Sequence, residues 1–137
     1  MRYLLDTNVF FYLLDENYNQ LSLQQKNIIG DSENELYVSE ASYYELSIKA
    51  RANKIADFKF DIIQLDKYRK KLNIKLLTSK TDYYLGIINV PKVNLTTNKL
   101  HGDPFDLLII SQAMKENLPI LSSDRLYPSY EGIEVIS

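Results

Sequence analysis

HGDPFDLLIISQAMKENLPILSSD, residues 101–124, sets three aspartates around a strongly helical run and ends in a short apolar strand. Asp103 followed by Pro104 makes a good helix start, because the carboxylate accepts a free backbone N–H and proline is pre-set for the first helical position. Phe105, Leu108, Ile109, Gln112, Ala113 and Glu116 follow at spacings of three and four, which predicts a helix with a broad buried face. Asp106 lies on that face. It has two readings: completion of an Asp-x-x-Asp capping box at the positive end of the helix, or a functional acid at the edge of an apolar stripe.

Outward from this stretch, short apolar runs alternate with helical ones. Arg2 to Leu5 reads as a buried strand ending in Asp6-Thr7-Asn8, and Val9 to Leu14 as a helix capped by Asp6 or Thr7. After a polar connection, Ser22 opens a helix that Gly30 stops. Leu36 to Val38 is a second strand, and Ser39 caps the helix EASYYELSIKARANK, with Ala41, Tyr44, Ile48 and Ala52 as its apolar stripe. Glu45 sits on or beside that stripe, where Lys49 offers an i,i+4 partner. Asp61 to Leu72 reads as an amphipathic helix, Ile74 to Leu77 as a third strand, and Tyr83 to Ile88 as a short helix capped by Ser79 or Thr81. Pro91 to Gly102 reads as a loop bordering the site. Pro119 to Leu121 is a fourth strand, followed by Ser122 and Asp124; Tyr127-Pro128-Ser129 turns, and Ile133 to Ile136 closes the sheet at an edge. Such alternation implies a mainly parallel sheet of four to five short strands covered on both faces, an α/β/α sandwich.

The chain of 137 residues fits one domain, residues 1–137. With 45% hydrophobic and 25% charged residues it has the composition of a folded globular protein. The absence of cysteine excludes disulfides and thiolate metal sites, and a single histidine argues against zinc. No apolar run approaches the roughly 20 residues that span a bilayer, and Asp6 breaks any signal-peptide layout, so the expected location is cytoplasmic. A net charge of −2 does not advertise nucleic-acid binding. It does not exclude it either, since acids holding divalent cations can face phosphates.

In a parallel sheet the C-terminal ends of the strands share one edge, where Asp6 and Asp124 converge with Glu45 and Asp106. Each acid has an ordinary explanation alone: helix cap, turn former, salt-bridge partner, capping-box acid. Their shared edge favours a common function. Clustered carboxylates repel, so either some are protonated or a cation is bound. An all-oxygen donor set points to Mg²⁺ or Mn²⁺, which leave positions open for a phosphate oxygen and a water, the requirements of phosphodiester hydrolysis. The chain has no GxxxxGK[ST], GxGxxG or GxSxG motif and no cysteine nucleophile. Asn8 stands where a phosphatase using the N-terminal aspartate would usually carry a second Asp.

LLDTNVFFYLL, VSEASYYELSIKA, HGDPFDLLIISQA and LPILSSDRLY together resemble, in order and spacing, the PIN-domain ribonucleases, especially the VapC-type toxins of bacterial toxin–antitoxin pairs. The resemblance covers nearly the whole chain. It implies the PIN fold and a Mg²⁺- or Mn²⁺-dependent endoribonuclease that prefers single strands, with Asp6, Glu45, Asp106 and Asp124 as catalytic and metal-binding acids. Asn8 and Ser122 match the small polar positions expected to hydrogen-bond the carboxylates, and Asp103 is a helix cap that also stands within reach of the metal through water. Gly102 and Leu107 replace the arginines of the commoner HRDPFDR form. His101 either meets RNA or caps a loop, with the cap favoured. The resemblance further implies an RNA substrate, a small antitoxin protein and a homodimer, and no membrane partner. The crowded apolar residues Phe10 to Leu14 are either an interface or part of the core. The alternatives within this frame are a PIN nuclease of RNA maturation or DNA flap processing and a catalytically silent PIN-like binding module.

Overall fold

A computed structural model describes residues 1–54 and 60–137. In chain order the elements are β1 (Arg2–Leu5), α1 (Thr7–Leu14), α2 (Leu23–Gly30), β2 (Glu35–Ser39), α3 (Glu40–Arg51), α4 (Leu65–Lys71) and β3 (Ile74–Leu77). Then follow α5 (Thr81–Leu85), β4 (Asn94–Thr96), β5 (Lys99–Leu100), α6 (Pro104–Glu116), β6 (Ile120–Leu121) and β7 (Val135–Ile136). β1, β2, β3, β6 and β7 form one sheet in the order β3-β2-β1-β6-β7, with every neighbouring pair parallel. Leu5 lies opposite both Val38 and Leu121, so the C-terminal ends of β1, β2 and β6 are level.

Side chains of a strand alternate between faces, and the two strands at the centre divide accordingly. Leu5 and Leu121 enter a core with Val9, Phe10 and Leu13 of α1, whereas Leu4 and Ile120 enter another with Tyr83 of α5 and Ile109, Ile110 and Ala113 of α6. Two apolar cores on opposite sides of a parallel sheet make the three-layer α/β/α sandwich expected from the sequence. The chain leaves β1 toward β2 and β3 on one side and returns as β6 and β7 on the other. The crevice where the strand order reverses therefore opens between the ends of β1 and β6, the usual ligand position in open α/β sheets.

Several local expectations need correction. In α3 the buried residues are Ala41, Ser42 and Leu46, while Tyr44 and Ile48 are exposed. Ser42 is buried because its hydroxyl meets that of Thr7 at 2.8 Å, a pairing that apolar periodicity does not register. Gly30 is the last helical residue of α2 and the capping position falls on Asp31. The helix expected from Asp61 begins as a 3₁₀ turn, Ile62–Gln64, with Asp61 capping it through the N–H of Ile63. Neither Ser79 nor Thr81 caps α5, whose preceding residue is Lys80, with no side-chain cap. Pro91 to Gly102 is not a plain loop: Asn94–Thr96 and Lys99–Leu100 pair as an antiparallel hairpin apart from the main sheet. Tyr127–Ser129 is a single 3₁₀ turn. In α1, Phe10 and Leu13 are buried, and Phe11, Tyr12 and Leu14 pack partly buried against the same core, so much of that apolar run is used within the chain. Among the described residues no helix is long and apolar enough to cross a membrane.

Candidate metal centre

Asp6 leaves β1 and caps α1 by accepting the N–H of Val9 at Oδ1, 2.8 Å. Its other oxygen accepts a short hydrogen bond from the Ser122 hydroxyl. Ser122 reaches it because β6 pairs with β1, a pairing extended when the N–H of Asp6 donates to the Leu121 carbonyl at 3.0 Å. The Ser122 oxygen in turn accepts the N–H of Asp124 at 3.0 Å, so one buried hydroxyl links the acid that follows β1 to the acid that follows β6. Asp124 also accepts the N–H of Leu126, which folds the start of the next turn around it. Asp6 is 3% exposed. Burial pushes its pKa up to about 7, against the pull of the Ser122 and Val9 hydrogen bonds, and the charges of Asp106 and Asp124 add to the rise.

Asp106 arrives from the first turn of α6. Asp103 caps that helix, its Oδ1 accepting the N–H groups of Phe105 and Asp106 at 2.9 and 3.1 Å. Of the two readings of Asp106, the capping box does not form, because its carboxylate is engaged elsewhere. Tyr127 donates its hydroxyl to one oxygen at 2.8 Å, and the Nε2 of His101 stands 3.1 Å from the other. Burial lifts the Asp106 pKa to about 6; the Tyr127 hydrogen bond opposes this, the charges of Asp103 and Asp124 reinforce it, and His101 lowers it. Tyr127, buried beside these carboxylates, has its own pKa pushed far up and stays a donor.

Asp6, Asp106 and Asp124 thus share one electrostatic neighbourhood at the crevice. Glu45 is half-buried on α3, its Oε2 paired with Lys49 at 3.0 Å and its Oε1 buried without a hydrogen-bond partner. Asn8 is exposed in the first turn of α1, and no hydrogen bond from it to a carboxylate is found among the described residues. Also among the described residues, no three aspartate, glutamate or histidine side chains stand close enough to hold a metal ion as placed. The donor chemistry nevertheless suits a hard divalent cation: two carboxyls with raised pKa values, a third acid beside them and an orphaned carboxylate oxygen all gain from a positive charge.

The His101 side chain is wedged between Tyr130 and Asp106 and is 7% exposed, while its backbone N–H closes the preceding hairpin on the Val93 carbonyl. Tyr127 and Tyr130 were invisible as site residues in sequence, since they meet Asp106 and His101 across 21 and 29 positions. Gln25 was equally silent: fully buried on α2, it donates to the carbonyls of Ser122 and Ile136 and so braces the ends of β6 and β7.

The sequence profile of the PIN domain matches residues 3–132. This chain belongs to the PIN-domain family. No curated protein matches the chain by sequence. By structure, this PIN domain is similar to a chain of "VapBC2 from Rickettsia felis bound to a DNA fragment from their promoter", with 16% identity, a TM-score of 0.67, and 99% of this chain and 98% of that chain covered. DNA-bound VapBC from Salmonella typhimurium gives 13% identity and 0.67, with coverage of 99% and 97%. A toxin–antitoxin complex from Klebsiella pneumoniae gives 16% and 0.57, with coverage of 98% and 96%. At such identities the likeness speaks for the fold.

Proposed function

We propose that this PIN domain is a Mg²⁺- or Mn²⁺-dependent endoribonuclease and the toxin of a toxin–antitoxin pair. The observation that carries the reading is the placement of Asp6, Asp106 and Asp124 in mutual electrostatic reach at the crevice between β1 and β6. Asp6, Asp106 and Asp124, with Glu45 from α3, are the residues to hold the cation, and Asp103 acts on it through water. When bound, the cation offsets charge on the scissile phosphate and makes water more acidic.

The chain's own residues do the rest. Ser122 and the N–H of Val9 hold Asp6 in one orientation and favour its ionised form. Tyr127 does the same for Asp106. A carboxylate of the cluster left free of the cation can accept the proton that water loses on attacking phosphorus. The leaving ribose oxygen takes its proton from solvent. Hydrolysis in this form needs no covalent enzyme intermediate.

An antitoxin partner is supported by the neighbours, described as VapBC and toxin–antitoxin complexes. A homodimer is supported by the exposed apolar residues Tyr44 and Ile48 of α3 and Tyr84, Leu85 and Ile88 around α5. The test is cleavage of single-stranded RNA by purified protein with Mn²⁺, set against Asp6→Asn. Cleavage lost in the variant is expected; equal cleavage by both proteins ends the assignment. The spacing of the acids as placed favours one second reading, a binding module without catalysis. Under that reading calorimetry finds no Mn²⁺ binding that depends on Asp6 or Asp106.

A further inference from the structure

We propose that Tyr130 and His101 form a directional relay, O–H to Nδ1 and Nε2–H to carboxylate, whose work is to fix Asp106 in the orientation that receives a divalent cation. The inference rests on the reading of Asp106 as a metal ligand.

The direction follows from hydrogen-bond chemistry. An ionised carboxylate only accepts, so the Nε2 of His101, 3.1 Å from Asp106, must carry the proton. When the imidazole is neutral its single N–H is the one on Nε2, which leaves Nδ1 as the acceptor. The Tyr130 hydroxyl, 2.5 Å from Nδ1, then donates. Burial and the charges of Asp106 and Asp124 push the Tyr130 pKa up, which keeps that hydroxyl a donor.

The ring has little freedom to do anything else. Its backbone N–H is tied to the Val93 carbonyl at 2.8 Å, at the base of the β4–β5 hairpin, and its two nitrogens are held from opposite sides. Tyr127 and Tyr130 belong to one turn, closed by the N–H of Tyr130 on the Tyr127 carbonyl at 3.0 Å. That single turn therefore grips both oxygens of Asp106, one directly through Tyr127 and the other through His101. Each carboxylate oxygen keeps further acceptor capacity for a cation. The relay sets where those lone pairs point.

The test is Mn²⁺ titration calorimetry on the full chain for wild type, Asp6→Asn, His101→Ala and Tyr130→Phe, with long-range ¹H–¹⁵N spectra of the His101 ring in metal-free wild type. Loss of an outer partner of this kind weakens metal affinity by about 10–100-fold, the range expected for His101→Ala. Tyr130→Phe should weaken it in the same direction by a smaller factor, and the wild-type spectrum should show Nε2 protonated and Nδ1 bare. Unchanged Mn²⁺ affinity in both ring variants, beside loss in Asp6→Asn, overturns the relay and leaves the metal site standing; so does an Nδ1–H tautomer. Wild type that binds no Mn²⁺ sinks the site reading and the relay with it. Should His101→Ala fail to fold, Tyr130→Phe, which removes a single oxygen, decides the matter alone.

Discussion

Replacing Asp6 by asparagine should destroy the proposed activity and at the same time stabilise the metal-free protein. The Asp6 pKa rises from an ordinary 3.8 to about 7 in the fold. At about 1.4 kcal/mol per unit, ionising Asp6 inside the folded chain costs about 4 kcal/mol more than ionising it in the unfolded chain. The sign is fixed by which state holds the proton. The folded state binds it more tightly, so stability is full below about pH 4, falls as the pH climbs, and has lost its whole share once the pH passes about 7. Asparagine mimics the protonated acid and caps a helix equally well: its Oδ1 can still accept from Val9, while its amide nitrogen donates toward the Ser122 hydroxyl. In urea unfolding with EDTA, Asp6→Asn should exceed wild type by about 4 kcal/mol at pH 8 and by about half that at pH 5, where wild-type Asp6 is largely protonated when folded. Groups common to both proteins cancel in this comparison. Saturating Mn²⁺ should then rescue wild type alone, by about 2.7 kcal/mol at a hundredfold excess over Kd. A variant no more stable than wild type at pH 8, or a difference that ignores pH, refutes the argument.

Other perturbations probe the frame around the site. Asp103→Asn keeps the cap of α6 but removes a charge that raises Asp106, so the Asp106 titration followed by ¹³C NMR should move below about 6 with little change in Tm. Arg69, buried on α4, donates to the Ile74 carbonyl and the Tyr43 hydroxyl at 2.7 Å each; Arg69→Leu strands the buried carbonyl and should cost about 2–4 kcal/mol in urea unfolding. Gly86→Ala would place a methyl 2.9 Å from the Ser111 hydroxyl, already committed to the Tyr83 carbonyl, with a cost of about 1–3 kcal/mol in the same assay. Since φ at Gly86 is −68°, that cost is steric, and the Ser111→Ala background should reduce it.

The frame of this PIN domain was legible because it rests on local patterns. Leu4 and Leu5 could be read as a strand from their apolar run, and Asp103-Pro104 as a helix start from capping chemistry alone. The strand and helix alternation was enough for a parallel sheet, and a parallel sheet has one edge for the acids that follow its strands. What escaped was decided by polar contacts across the chain. The buried face of α3 was misplaced because Ser42 is held by Thr7, 35 positions away, while Tyr44 and Ile48 look outward. Tyr127 looked like a turn residue because its sequence neighbours Pro128 and Ser129 are turn formers, and nothing local reports that its hydroxyl ends on Asp106. The hairpin at Asn94–Leu100 lacks the apolar alternation that marks a half-buried strand, since all its strand residues are exposed.

The hydrogen bond from Ser122 to Asp6 spans 116 positions of chain. β1 finds one neighbour in β2 early in synthesis, but its other neighbour, β6, is made only after β2, β3 and α6. Until then Asp6 lacks the hydroxyl that orients it, and the turn that grips Asp106 is missing as well. A nascent chain of this protein therefore carries no assembled centre until β6 and the turn after it have been made. If the centre cuts RNA as proposed, the transcript is spared until those elements have been made.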